Sequence, residues 1–318
     1  MLDLSVILCT YNRAESLRKT LNSFSSVTVD SSIRWELIVV DNNSTDPTPE
    51  ICEQFKVRTP LTYCFEPKQG LSCARNRGIE EAQGKLIVFT DDDVDVDPNW
   101  MNALCAGAQR YPEAGFFGGP IYAKWESPPP AWLARHASDL LCGLAVQYDR
   151  GKDDPFLKEG EASFIGANMM FRKQVFEAGI RFREDIGRKG GDLTGLEDTV
   201  FIGSLLKAGY RGVFIPEAKI FHRNPKERMT EQYLRKWYIG AGRGLYRVNP
   251  VRYNQYLFFG TPRFLWRKLI FAALQYILTR WLCLSKLWVP AECEMALTWG
   301  KILEYREDRG TDQRNHTG

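Results

Sequence analysis

Apart from Ser5, residues 4–9 are apolar, and beyond the polar step Thr10 to Arg13 apolar residues recur at Leu17, Leu21 and Phe24. A continuous apolar run rich in β-formers suits a strand buried on both faces, whereas a spacing of three to four lays one stripe along a helix. The chain therefore opens as strand, loop, helix. The same grammar returns: 37–40 predicts a second strand ended by Asp41 and the loop 42–46, a short helix covers 51–55, and 61–65 predicts a third strand. GLSCARNRGIEEAQG, residues 70–84, predicts a helix with Glu80 and Glu81 on its wet face and Gly84 as its stop, and 86–90 predicts a fourth strand. Further on, 115–122 and 163–172 predict strands with a Pro-rich connection at 128–130 between them, 196–208 a helix stopped by Gly209, and 213–215 a last short strand.

Strands alternating with helices imply an α/β fold, a mostly parallel central sheet flanked by helices, because parallel neighbours need crossover connections. Ligands in such sheets bind outside the carboxyl ends of the strands. Those positions hold Thr10, Tyr11, Asn12 and Arg13 after the first strand, Asp41 to Asp46 after the second and Asp91 to Asp95 after the fourth. The three loops are expected to face one crevice.

With 318 residues, 44% of them hydrophobic and 25% charged, the chain can bury a sizeable core and is unlike a disordered or disulfide-stapled one. A net charge of +3 is too small to argue for nucleic acid as a partner. Its distribution is uneven: 223–286 holds 13 basic and two acidic residues, whereas residues 1–222 hold 25 and 31. Eight cysteines with no CxxC pair, and no His at metal-ligand spacing, read as reduced thiols of a cytoplasmic protein. The amino-terminal residues lack the basic start and long apolar run of a signal peptide.

Asp91, Asp92 and Asp93 close an apolar strand, and carboxylates crowded at a sheet edge repel one another. A divalent cation relieves that repulsion, and Mg²⁺ or Mn²⁺ prefers oxygen ligands; a solvated acidic loop is the plain alternative. Asp41 is placed either to accept hydrogen bonds from a base or sugar or to close an ordinary turn. The helix start after Gly70 either holds a diphosphate beside Arg75, since helix amino termini favour anions, or simply packs small residues. Glu197 and Asp198 begin a helix behind the Gly-rich stretch 187–195, where a carboxylate serves as general base or complements the helix dipole. No GxGxxG follows a strand, no GxxxxGK occurs, and the GAGRG of 240–244 follows no convincing strand, so dinucleotide and P-loop readings lose support.

Taken in order, SVILCTYNR, VVDNNSTD, GLSCARNRG, FTDDDV, GANMMFRK and LEDTVF resemble the inverting family 2 glycosyltransferases with the GT-A fold, over about residues 4–240. The resemblance implies a nucleotide-diphosphate sugar donor, its base and ribose near Thr10, Tyr11, Asn12 and Asp41. It sets Asp91 close to the ribose and has Asp93 hold Mn²⁺ or Mg²⁺; Asp92 matches the family's acidic pattern less well. It implies that Asp198 deprotonates the acceptor hydroxyl, with Glu197 orienting it, in one in-line displacement that inverts the anomeric configuration. Gly166 and Asn168 match a segment lining the pocket where donor sugar and acceptor meet, Asn168 otherwise being a turn residue. His222 stands where relatives approach the metal or diphosphate, although a lone His is more often structural. The implied product is a surface polysaccharide or glycoconjugate, and the implied acceptor a glycan or a lipid-linked sugar.

Two rival readings share these features. A non-catalytic docking protein on the same scaffold is opposed by the intact Asp91, Asp93 and Asp198. A nucleotidyltransferase is opposed by the residues 10–13, which stand where a Gly-rich phosphate loop belongs.

Domain organisation follows the charge. Residues 1–225 are expected to form the catalytic domain, 1–100 binding the nucleotide sugar and 101–225 the acceptor side. Behind it, 226–307 is expected to form a basic, aromatic-rich helical region, and 308–318 a flexible tail. Between 229 and 289 aromatic groups alternate with Arg and Lys, a mixture that suits either peripheral contact with a membrane or packing on the core. Its longest uncharged stretch, 269–279, has 11 residues and is too short to span a bilayer.

Overall fold

The computed structural model describes residues 2–151, 154–161, 163–250, 257–282 and 284–315, with side chains through 309; Cys283, counted among the cysteines, lies outside them. The chain begins β1 (Leu4–Thr10), α1 (Ala14–Phe24), β2 (Trp35–Asp41), α2 (Thr48–Lys56), β3 (Leu61–Phe65), α3 (Leu71–Glu81), β4 (Leu86–Asp91), β5 (Val94–Val96) and α4 (Trp100–Arg110). It continues through β6 (Ala114–Gly118), β7 (Ile121–Trp125), α5 (Ala131–His136), α6 (Cys142–Ala145), β8 (Met169–Arg172), α7 (Lys173–Glu177), α8 (Glu197–Lys207), β9 (Arg211–Phe214) and β10 (Ile220–Asn224). The remainder is α9 (Glu231–Val248), β11 (Leu257–Phe258), β12 (Thr261–Pro262), α10 (Arg263–Trp281) and α11 (Ser285–Asn315). Two compact units result, Met1–Glu126 with Ala145–Asp185 and Glu197–Asn224, and Ser127–Leu144 with Ile186–Leu196 and Pro225–Gly318.

The first unit is built on a mixed, mostly parallel sheet in the order β3-β2-β1-β4-β8-β6-β9. Only β8 runs against its neighbours β4 and β6. The apolar runs of β1, β2 and β4 are buried on both faces, as parallel strands covered by helices require. Register does the rest of the positioning: Thr10 lies opposite Asp41, and Cys9 opposite Asp91, so the loops after β1, β2 and β4 leave the sheet along one edge. A smaller sheet, β5-β10-β7, returns to that edge, with His222 of β10 paired to Val94 of β5.

Two predicted strands come out differently. The segment 115–122 divides into β6 and β7, which belong to different sheets; Pro120 has no N–H for a ladder, and the chain changes sheet there. Of 163–172 only 169–172 is strand, because Gly166 to Asn168 coil into a short 3₁₀ turn whose polar groups are held by Asp198 at the start of α8 and by the carbonyl of Ala218. Helix α4 was not anticipated, although Trp100, Leu104 and Ala108 do recur at helical spacing and are buried.

In the second unit α9 and α11 cross backbone to backbone. A Cβ on Gly242 would stand 2.0 Å from the Leu297 carbonyl oxygen, and one on Gly300 2.1 Å from that of Ile239. The GAGRG stretch is therefore the contact face of a helix. Tyr238, Tyr246 and Trp288 are buried in this unit, and Arg247 pairs with Glu304. Helix α11 runs on to Asn315, past 308 where a flexible tail was expected, and 316–318 lie outside the described residues. No helix among the described residues is long and apolar enough to cross a membrane. Gly300→Ala is expected to lower the melting temperature, since overpacking costs about 1–3 kcal/mol. Gly203→Ala, on helix α8 where a Cβ meets nothing within 4 Å, is expected to leave it unchanged or raise it. Equal melting temperatures for both variants by calorimetry would contradict the crossing.

Candidate active site

The edge where β1, β2 and β4 end gathers charge. Thr10 donates a 2.7 Å hydrogen bond to Asp92, whose other oxygen lies 2.6 Å from Arg13 Nη1. Arg13 Nη2 reaches Asp93 at 2.9 Å, and His222 Nε2 lies 3.0 Å from the second Asp93 oxygen. Burial pushes the Asp92 carboxyl up to about 6 against the pull of Arg13. Burial also opposes the charge on Arg13, but Asp92 and Asp93 outweigh it and hold the guanidinium above its ordinary range. One cation thus serves two buried carboxylates, an arrangement that keeps the crowded acids in the folded chain.

Asp91, Asp93 and His222 each bring one candidate ligand atom within 4.8 Å of the others. Asp91, with its side chain 34% exposed, is the open member, whereas Asp93 and His222 are buried. Two carboxylate oxygens and an imidazole form a donor set that fits a divalent cation of the Mn²⁺ or Mg²⁺ kind, with Asp91 leaving one side accessible. Buried His222 Nδ1 has no hydrogen-bond partner, so nothing among the described residues pins the ring through its outer nitrogen.

A second pair of acids lies at the start of α8. The Gly166 N–H donates to Asp198 Oδ2 at 2.9 Å and the Thr199 N–H to Oδ1 at 2.7 Å, so two backbone donors orient that carboxylate. The neighbouring Glu197 accepts a 3.0 Å hydrogen bond from Arg75 Nη1. Arg75 Nη2 is 4.0 Å from Asp91, and the guanidinium lies over the Phe182 ring. Burial disfavours its charge, and Glu197 and Asp91 more than compensate, raising its pKa. A Cβ at Gly166 would stand 2.2 Å from Arg75 Nη2, so any larger residue there must push the Arg75 guanidinium out of this ion pair. The sequence set Arg75 beside a diphosphate; the structure has it 3% exposed, between Glu197 and Asp91.

The other candidates are also accounted for. Asn12 takes a positive φ of 49° and its side-chain oxygen accepts from the Thr45 N–H at 2.7 Å, joining the loops after β1 and β2; Tyr11 is half-buried beside it. Asp41 is buried, accepting from the Ser44 N–H and the Tyr63 hydroxyl, both at 2.9 Å. The Asn168 amide is spent inside the fold: it accepts from Trp100 Nε1 at 3.0 Å and donates to the carbonyls of Pro120 at 3.1 Å and Ala218 at 2.8 Å. Arg13 had been given no role, although it closes the polar step before α1. The signal was present as an excess of acid at 91–93 that needs a cation, but its partners stand 80 positions away. Cys9, Cys52 and Cys293 have thiols pushed up to about 12 by burial, and none of the described cysteines is in a disulfide.

The pattern of Glycosyl transferase family 2 matches residues 5–180. The succinoglycan biosynthesis protein ExoM of Rhizobium meliloti (strain 1021) is 28% identical over 244 residues, 76% of this chain and 73% of that protein. The mannosyltransferase PcManGT from Pyrobaculum calidifontis, solved in complex with GDP-Man and Mn²⁺, superposes with a TM-score of 0.60 at 18% identity, over 94% of this chain and 86% of its own. S. aureus TarS 1-349 in complex with UDP-GlcNAc gives 0.55 at 16% identity, over 97% and 92%. At such identities the likeness to the solved structures is one of fold.

Proposed function

The chain belongs to glycosyltransferase family 2, with the GT-A fold and a glycosyltransferase's activity, and on that premise we propose that it moves a sugar from a nucleoside-diphosphate sugar to an acceptor hydroxyl with inversion at the anomeric carbon. The observation that carries this reading is the bridge through Arg75. One buried guanidinium reaches Asp91 at 4.0 Å and Glu197 at 3.0 Å, so the metal-ligand acids and the Glu197–Asp198 pair belong to one site.

Asp91, Asp93 and His222 would hold Mn²⁺ or Mg²⁺. Bound there, the cation supplies neutralisation of the charge that builds on the departing nucleoside diphosphate. Thr10, Tyr11, Asn12 and Asp41 form the edge we assign to base and ribose, with Asp92 and Arg13 beneath it as support. The acceptor oxygen bonds to the anomeric carbon as the bond from that carbon to the diphosphate oxygen breaks, and the hydroxyl proton passes to Asp198. The Gly166 and Thr199 N–H groups aim the Asp198 carboxylate for this transfer. Glu197 is a positioning residue that acts through Arg75, and Asn168 positions the turn that carries Gly166.

We assign catalysis to the first unit and the helical C-terminal region to a supporting role. Surface polysaccharide or glycoconjugate is the product class supported by the likeness to a succinoglycan biosynthesis protein, with a glycan or lipid-linked acceptor. The cytoplasmic face of a membrane is the setting in which scattered cysteines stay reduced. Calorimetric titration of UDP, GDP and dTDP into the full chain, with Mn²⁺ and with a chelator, tests the reading. One nucleotide is expected to bind in a metal-dependent way. If none binds, and no intact nucleotide sugar does either, the docking-protein reading takes its place.

A further inference from the structure

Helix α10 is apolar on the side that faces solvent. Ile270, Phe271, Leu274, Ile277, Leu278 and Trp281 are each at least 55% exposed, Trp281 reaching 84%. The opposite side, Leu265, Ala272 and Thr279, repeats every seven residues and packs inward. A helix apolar all round belongs in an interior, and six large exposed apolar side chains on contiguous turns exceed what a water-facing surface ordinarily carries. This narrows the aromatic region of 229–289, since Tyr238, Tyr246 and Trp288 are spent inside the unit, whereas Phe258 and Phe259 of the preceding hairpin are exposed with α10.

Charge indicates what covers the face. Arg263 and Arg267 stand at its amino-terminal end and Lys286 beyond its carboxyl end, all exposed and in no ion pair among the described residues. Between Glu231 and Glu292 the chain contains no acid. The other cations of the helix point elsewhere: Lys268 pairs with Glu294 and Arg280 with Glu231, both at 2.9 Å, and these pairs tie α10 to the rest of its unit. An apolar stripe with free cations at both ends, its flanking carboxylate Glu294 already paired with Lys268, and a Trp at its rim match a layer of acyl chains beneath anionic headgroups.

We propose that α10 lies in the surface of an anionic membrane, its axis in the membrane plane and the Ile270, Phe271, Leu274, Ile277, Leu278 and Trp281 face inserted among the acyl chains. With 19 residues it lays about 28 Å of helix along the surface. The attachment concerns the second unit and does not depend on the assignment of the catalytic residues.

Co-sedimentation of the full chain with vesicles of phosphatidylcholine, alone or mixed with phosphatidylglycerol, tests it. Binding to the anionic vesicles is expected, weakening as salt is added, and Leu274→Glu with Leu278→Glu is expected to lower it by at least roughly tenfold. Both positions are 62% exposed, so the melting temperature should not move. Arg263→Gln with Arg267→Gln is expected to remove the preference for the anionic lipid. No binding to anionic vesicles at low salt overturns the proposal, as does undiminished binding by the double Glu variant. A wild-type dimer in sedimentation velocity that the double Glu variant turns into a monomer also overturns it, because the occupant is then a second copy.

Discussion

Asp198→Asn is expected to lower the rate of sugar transfer by roughly 10²- to 10⁴-fold, or about 3–5 kcal/mol of transition-state stabilisation, while donor affinity stays within a factor of two. The side chain keeps its size, and its oxygen can still accept from the Thr199 N–H that now holds Asp198 Oδ1. What disappears is the ability to take the proton of the acceptor hydroxyl as the new bond forms, together with the acceptor for the Gly166 N–H, which the amide nitrogen cannot replace. The loss should fall on kcat rather than on the KM for the donor, since the group acts on the acceptor only in the transition state. Calorimetry of donor binding beside a transfer assay separates the two. Wild-type transfer with intact donor binding would remove Asp198 from the mechanism, and lost donor binding would show that it acts on the ground state instead.

The second large effect is expected at Asp93. Asp93→Asn should weaken Mn²⁺-dependent nucleotide binding by roughly 100-fold, about 2.7 kcal/mol, because it removes one of the two carboxylates in the Asp91, Asp93, His222 set. Stability should change less. Arg13 retains Asp92 at 2.6 Å as its partner, and an amide in place of the carboxylate still faces the His222 ring. Melting curves in chelator and nucleotide titrations with and without Mn²⁺ are the two readouts. Unchanged metal-dependent affinity in Asp93→Asn rejects the cation site. A large melting shift without a binding loss would assign Asp93 to the fold, as a partner of Arg13 and His222.

These two residues also mark how far the chain was legible. Asp93 stands out because three acids in a row at the end of an apolar run demand an explanation, and Asp198 because an acid pair opens a helix behind a Gly-rich stretch. The strands 4–10, 35–41, 61–65 and 86–91 were each visible within two residues of their ends, since buried parallel strands are largely apolar and each run ends at a polar loop. The strand expected over 115–122 was read as one because its apolar content is continuous; the change of sheet at Pro120 depends on where β9 and β10 lie, which no local pattern records. The aromatic stretch of 229–289 likewise reads as uniform, yet its members divide into buried and exposed according to which helix each one faces.

The division between sequence and tertiary structure follows the range of the forces involved. Burial, helix or strand period and the placement of loops at strand ends depend on residues a few positions apart, so the α/β alternation, the single edge holding residues 10–13, 41–46 and 91–95, and the presence of acids there are legible in the chain alone. The roles of those acids depend on partners 80 to 122 positions away, Arg13 with Asp93 and Arg75 with Glu197. Coulomb interactions and hydrogen bonds act over a few ångströms, and only the assembled sheet brings such positions within that range. Partners far apart in the chain are what bury Arg75 between Glu197 and Asp91, bond the Asn168 amide to Trp100, Pro120 and Ala218, bring His222 to Asp91 and Asp93, and turn the apolar face of α10 outward.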